Sequence, residues 1–176
     1  MRIEQTDLPG AVLIIPEPVR DERGFFARTF CAREFGEMGL ETKFVQHSVS
    51  ASLRKGTLRG MHFQAEPHGE MKIVNVLRGA ILDVIIDLRP ASRTFRRSTG
   101  FELTQENRHR LYIPKGFAHG FQTLTDDVEM AYLISAFYDP GAARGVRFDD
   151  PAFSIAWPLP VAVISDKDRT WPDFTG

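Results

Sequence analysis

The 176-residue chain carries 22 Lys and Arg against 23 Asp and Glu, a net charge of −1, and a single cysteine, Cys31. That balance offers no basic field to nucleic acid, and one cysteine closes no intramolecular disulfide, which fits a reducing compartment. No apolar run reaches the ~18 residues of a membrane span and the N-terminus lacks a signal-peptide pattern, so a soluble, cytoplasmic, single-domain protein spanning residues 1–176 is expected.

Short β-branched runs broken by Gly, Pro and Asp dominate the chain. In chain order, strands are expected at residues 11–19 (AVLIIPEPV), 71–79 (MKIVNVLRG), 80–89 (AILDVIIDLR), 109–116 (HRLYIPKG), 117–124 (FAHGFQTL), 128–138 (VEMAYLISAFY) and 160–168 (PVAVISDKD). Glycine stands where tight turns are needed, at Gly79 and Gly116. A helix is expected only at residues 32–38 (AREFGEM), with a turn at 151–153. Many short strands with frequent turn signals point to an all-β sandwich or jelly-roll barrel with short peripheral helices. The first ~20 residues hold an apolar strand expected to act as an arm, adding to a partner's sheet in a homodimer.

Strand period sorts the polar residues. Leu58, Gly60, His62 and Gln64 share one face, as do Lys72, Val74 and Val76, and again Val128, Met130, Tyr132 and Ile134. If these faces line the barrel, His62, Lys72 and Tyr132 are polar groups inside an apolar cavity, where leaving them unpaired is costly. The stretch LRGMHFQAEPHGEMKIVNVLRG also raises a metal reading, because it gathers His62, Gln64, His68, Glu70 and Lys72. Jelly-roll proteins of the cupin kind carry G-x5-H-x-H-x3-4-E-x6-G and then G-x5-P-x-G-x2-H-x3-N, and the chain resembles both imperfectly. His62 stands at the first histidine and Gln64 at the second, Lys72 replaces the carboxylate, Pro114, Gly116 and His119 match, and Thr123 replaces Asn. An amide is a poor donor to a divalent ion and an ammonium offers no lone pair, so no metal is expected. His68 and Glu70 are read as hairpin-surface residues.

DERGFF, FVQ, KGTLRGMHFQ, Pro67-His68, Lys72, SRTF, IPKGFAHGF, Tyr132, RGVRFDDP, WPLP and ISDKD follow one another in order. With these landmarks the chain resembles the dTDP-4-dehydrorhamnose 3,5-epimerase family of metal-free cupins over nearly its whole length. The resemblance implies a cofactor-independent isomerase that epimerises a nucleotide-diphosphate-linked 4-keto-6-deoxyhexose, at carbon 3 and/or carbon 5, in deoxysugar biosynthesis. It assigns His62 as the base oriented by Asp168, Tyr132 as the acid, and Lys72 as the positive charge beside the enolate oxygen. It places Arg23, Gln46, Arg59, Lys72, His119, Tyr138 and Lys167 at substrate-contact positions, and a dimer in which one N-terminal region completes the partner's site.

Several peripheral positions depart from the family pattern. Arg28 and Ala143 stand where glutamates are common, Leu133 where a lysine often follows the tyrosine, and FVQHSVS replaces FVQDNHS. The acid–base set is kept while the nucleotide- and sugar-binding periphery is altered. A nucleotide-sugar ketoisomerase or a non-catalytic sugar-binding cupin are the competing readings, and the second has no use for an acid–base pair.

Overall fold

A computed structural model describes residues 1–175, which form thirteen strands, numbered in chain order, and two short helices. One sheet runs β1 (Arg2–Gln5), β2 (Val12–Ile15), β10 (Arg110–Ile113), β7 (Lys72–Arg78), β12 (Val128–Ile134), β5 (Gln46–Ser52). The other runs β13 (Ala143–Gly145), β6 (Leu58–Gln64), β11 (Phe117–Thr123), β8 (Ala80–Asp87), β9 (Ser98–Thr104). A separate hairpin joins β3 (Val19–Asp21) to β4 (Gly24–Phe26), and all these strand pairings are antiparallel. Two antiparallel sheets facing across one core make the expected cupin-type jelly roll.

The space between the sheets is filled by Val74, Val76, Ile81, Ile85, Leu103, Leu111, Phe117, Phe121, Val128 and Met130. These residues come from alternate positions, so the period-2 rows of β7 and β12 do face inward. The outer faces are covered as well. Phe35 of helix α1 (Ala32–Glu37) packs on Ile14, Ile73 and Tyr112 outside the six-stranded sheet. Val146 and Phe153 cover Met61, Val84, Ile86 and Ala118 outside the other. Burial on both faces is why β8 reads AILDVIID, an almost unbroken apolar run, where one-sided burial gives alternation.

The structure revises several of the expected elements. The run at residues 11–19 is cut after Ile15 because Pro16 and Pro18 cannot donate to a ladder. Its apolar part, β2, lies in the chain's own sheet between β1 and β10, β1 forms that sheet's edge, and the β3–β4 hairpin that follows is exposed. Residues 160–168 are not a strand: they make one bridge, Thr57 to Val163, and then turn into helix α2 (Asp166–Arg169). Ser165 accepts from the Asp168 amide at 3.1 Å, and this N-cap overrides the apolar run before it. Finally, β5 (QHSVSAS) and β9 (STGFELT) are strands whose serine and glycine content hid their period from the sequence.

Candidate active site

A cavity of about 710 Å³ opens between the sheets, large enough for a nucleotide-sized ligand. His62 and His119 lie side by side on its five-stranded wall, on β6 and β11, as directly paired residues. The strands approach closely beneath them because Gly60 faces Gly120: a Cβ on Gly60 would lie 2.5 Å from the Gly120 Cα. Gly60 also has φ +128°, a conformation side chains disfavour, at a register shift that separates the two histidines from Arg59 and Phe121.

His62 Nε2 is 2.6 Å from Asp168 Oδ1, and the second carboxylate oxygen accepts from the Gly60 amide at 3.2 Å. The imidazole is 44% exposed toward the cavity while the carboxylate is buried behind it. Burial pushes the Asp168 carboxyl up, but the hydrogen bond and charge of His62, the Gly60 N–H and the Ser165 hydroxyl outweigh it and hold the group below the usual carboxylate range. The buried carboxylate anchors Nε2 of the half-exposed ring, and Nδ1 is the ring nitrogen without a hydrogen-bond partner among the described residues.

Tyr132 projects from the opposite, six-stranded wall, on β12. Burial pushes its phenol up to about 12, with the Ser50 hydrogen bond pulling the other way, so it stays protonated at neutral pH. Its Oη lies 3.1 Å from Ser50 Oγ. Lys72, on β7 of the same sheet, pairs at 2.7 Å with Glu70, and the two side chains are only 13% and 9% exposed. Glu70 therefore corrects the sequence expectation. It sits in the cavity wall as the counter-charge of Lys72, because an ammonium this buried needs a partner. His68 is at the surface as expected, 3.3 Å from Asp139.

His119 is buried and bonds through Nε2 to Asp83 Oδ2 at 2.8 Å. Burial pushes the Asp83 carboxyl above its ordinary range, and His119 and Lys72 offset this only in part. Its other oxygen has no hydrogen-bond partner among the described residues. Gln64, at the position of a cupin metal ligand, is committed to the backbone. Its Nε2 donates to the His68 and Phe137 carbonyls at 3.0 and 3.3 Å, and its Oε1 accepts from the Asp139 amide at 2.6 Å. Among the described residues no three of His, Cys, Asp and Glu are grouped as metal donors.

Three further cations, Arg59, Arg144 and Lys167, stand in a lining that is otherwise largely apolar. Arg59 donates to Ser52 Oγ and the Ala51 carbonyl, Arg144 donates to the Gly141 and Ala143 carbonyls, and Lys167 lies 5.5 Å from the Trp171 ring centroid. None of these three meets a carboxylate among the described residues, which leaves their charge for an anionic ligand. Tyr138 lies exposed at the rim, its amide held at 2.7 Å by Gln46 Oε1, so Gln46 reaches the site through the backbone. Arg23, like Gln46, is absent from this lining. It is 85% exposed on the β3–β4 hairpin, bonded to Asp21.

Sequence reasoning missed Asp83, Ser50 and Arg144. Asp83 had a readable signal, a carboxylate on the same face as Ile81 and Ile85 in an otherwise apolar strand, where a buried charge demands a partner. Ser50 and Arg144 had none, since β5 and β13 were not recognised as strands.

A family model described as dTDP-4-dehydrorhamnose 3,5-epimerase matches residues 5–176. The chain is 47% identical over 174 residues to the dTDP-4-dehydrorhamnose 3,5-epimerase of Methanothermobacter thermautotrophicus, covering 97% of this chain and 92% of that one. Its fold superposes with a TM-score of 0.95 on the crystal structure of the Bacillus anthracis dTDP-4-dehydrorhamnose 3,5-epimerase with TDP and PPi bound, at 38% identity over 98% of this chain and 99% of that one. With a TM-score of 0.89 it also superposes on a 3'-monoepimerase of Streptomyces bikiniensis in complex with dTDP-quinovose, at 33% identity over 97% and 86% of the two chains.

Proposed function

The chain belongs to the dTDP-4-dehydrorhamnose 3,5-epimerase family, and from that membership we propose that it inverts carbon 3, carbon 5 or both in a dTDP-linked 4-keto-6-deoxyhexose during deoxysugar biosynthesis. The observation that carries this reading is the placement of a base and an acid on facing walls: His62 on one sheet, Tyr132 on the other. The ketone at carbon 4 acidifies the hydrogens on carbons 3 and 5. His62, backed by Asp168, takes one of them; Lys72 supplies positive charge to the enolate oxygen; Tyr132 returns a proton to the opposite face. Each such acid or base group is typically worth ~10²–10⁴-fold in rate. Arg59, Lys167 and Arg144 suit the diphosphate, and exposed Tyr138 offers a ring for the base to stack on.

The same reading assigns Arg23 to a partner's site in a homodimer. Arg23 lies on a projecting hairpin with exposed Val19 and Phe26, and exposed Val49, Leu53 and Leu77 offer an apolar face for a second copy. No helix among the described residues is long and apolar enough to cross a membrane.

The test is incubation with dTDP-4-keto-6-deoxyglucose in deuterated water. Deuterium at carbon 3 or 5 with carbon 4 still a ketone is expected, and His62→Ala abolishes it with nucleotide binding kept. Movement of the carbonyl would instead identify a ketoisomerase, and no deuterium at either carbon across several nucleotide sugars would refute the reading.

A further inference from the structure

The Tyr132 hydroxyl has two polar neighbours among the described residues, Ser50 Oγ at 3.1 Å and Met130 Sδ at 3.7 Å. They differ in what they can do. A thioether is a weak acceptor and never a donor, whereas a serine hydroxyl donates or accepts. In the β5–β12 ladder Ser50 pairs with Met130 and Ser48 with Tyr132, so Ser50 stands diagonal to Tyr132 on the cavity face and reaches its Oη from the side.

We propose that Ser50 is the positioning residue of the protonation step: it donates to Tyr132 Oη, leaves the phenol proton free for the substrate, and holds the phenolate that remains. The proposal rests on the reading of Tyr132 as the acid. With Ser50 as donor, the only acceptor left among the described residues for the phenol proton is the Met130 sulfur, which competes poorly with an enolate carbon. In the step itself the Tyr132 O–H bond breaks as a C–H bond forms. The enolate's electron pair becomes that C–H bond, and the O–H pair stays on oxygen. Ser50 keeps its own proton throughout. The phenolate then regains a proton from water, and His62, half exposed, releases the one it took.

A phenolate is costly at this position. Burial disfavours it most, and the Asp83 carboxylate adds to the cost; Ser50 and the Arg59 charge act in its favour. Of these two only Ser50 touches the oxygen. Neither Ser48 nor Ser52 substitutes for it, since Ser52 is engaged with Arg59 and neither bonds to Tyr132.

Proton removal and proton delivery are separable by experiment. In deuterated water, His62 alone can remove a hydrogen and return deuterium to the same face, labelling recovered substrate without inverting it. Delivery by Tyr132 gives labelled, inverted product. Ser50→Ala is expected to cut inverted product by about tenfold or more, the scale of a hydrogen bond to a charged group, while deuterium in recovered substrate stays near the wild-type rate. Ser50→Thr keeps the hydroxyl and restores inversion to within about twofold. Ser50→Cys, a weaker donor of similar volume, shows the same change in the ratio to a smaller degree, so the outcome does not depend on one variant folding. Equal loss of both labels in the Ala and Cys variants, or loss of neither, overturns the proposal. Tyr132→Phe separates it from its premise. Label in recovered substrate with no inversion upholds Tyr132 as the acid, whereas inversion at the wild-type ratio removes both the acid and the role of Ser50.

Discussion

Asp168→Asn is the sharpest single perturbation of the base, because the change removes one charge and alters almost no volume. Asp168 uses both oxygens as acceptors, one for His62 Nε2 at 2.6 Å and one for the Gly60 amide at 3.2 Å. Asparagine has only one acceptor oxygen. The Gly60 amide is a fixed buried donor and holds that oxygen, since an orphaned buried N–H costs ~1–3 kcal/mol. The side-chain NH₂ then faces His62 Nε2, which can meet it only as an acceptor. That tautomer carries its proton on Nδ1, the nitrogen left for the substrate, and a ring presenting N–H there is a donor and no base. The variant also lacks the anion that stabilises the imidazolium.

The expected loss is therefore that of a whole general base, roughly 10²–10⁴-fold. The assay is the rate of deuterium incorporation from solvent, in recovered substrate and in product alike. Both should fall in the same proportion, because both begin with the proton that His62 removes; this distinguishes the variant from a lesion on the Tyr132 side. Binding of the nucleotide diphosphate should change by less than about threefold, since the buried Asp168 side chain is committed to His62 and the Gly60 amide. Exchange within about threefold of wild type in Asp168→Asn would refute the tautomer argument and with it the role of the pairing.

Two further outcomes follow from other parts of the fold. If Arg23 acts across a dimer, co-expressing Arg23→Ala with His62→Ala subunits should restore about one quarter of wild-type activity, since half of randomly paired dimers hold one intact site of two; activity no higher than the better single variant places Arg23 in its own subunit's site. Asp87, buried, is bonded by Arg89 at 2.7 and 2.8 Å and by the Ser92 and Thr94 hydroxyls; burial raises its pKa, yet these bonds outweigh that and hold it below the carboxylate range. A depressed folded pKa contributes stability above the unfolded value near 3.8 and loses it as pH falls below that. Asp87→Asn should thus cost roughly 3 kcal/mol in urea unfolding at pH 7 and progressively less below pH ~4; a pH-independent difference would sink this account.

What was legible in the sequence follows from which residues face inward. The rows of β7 and β12 were readable because Lys72 and Tyr132 interrupt otherwise apolar inner faces, and the same rule could have exposed Asp83 between Ile81 and Ile85. Glu70 escapes the strand pattern because the need lies with its neighbour: beside an ammonium only 13% exposed, a carboxylate two residues away is a counter-charge. Asp168 could not be located by period at all. It reaches His62 from a helix capped by Ser165, and what places it is tertiary: the single bridge from Thr57 to Val163 that brings residues 163–168 alongside β6. Ser50 was illegible for a further reason, since a serine in a serine-rich segment carries no signal until the register sets it diagonal to Tyr132. The inner-face charges mark where chemistry occurs, but the groups that tune them enter through register and loop closure, which a strand pattern does not encode. Arg23 carries that point past the single chain, because its 85% exposed side chain has no place in its own cavity lining and gains one only if a second copy brings the hairpin to the site.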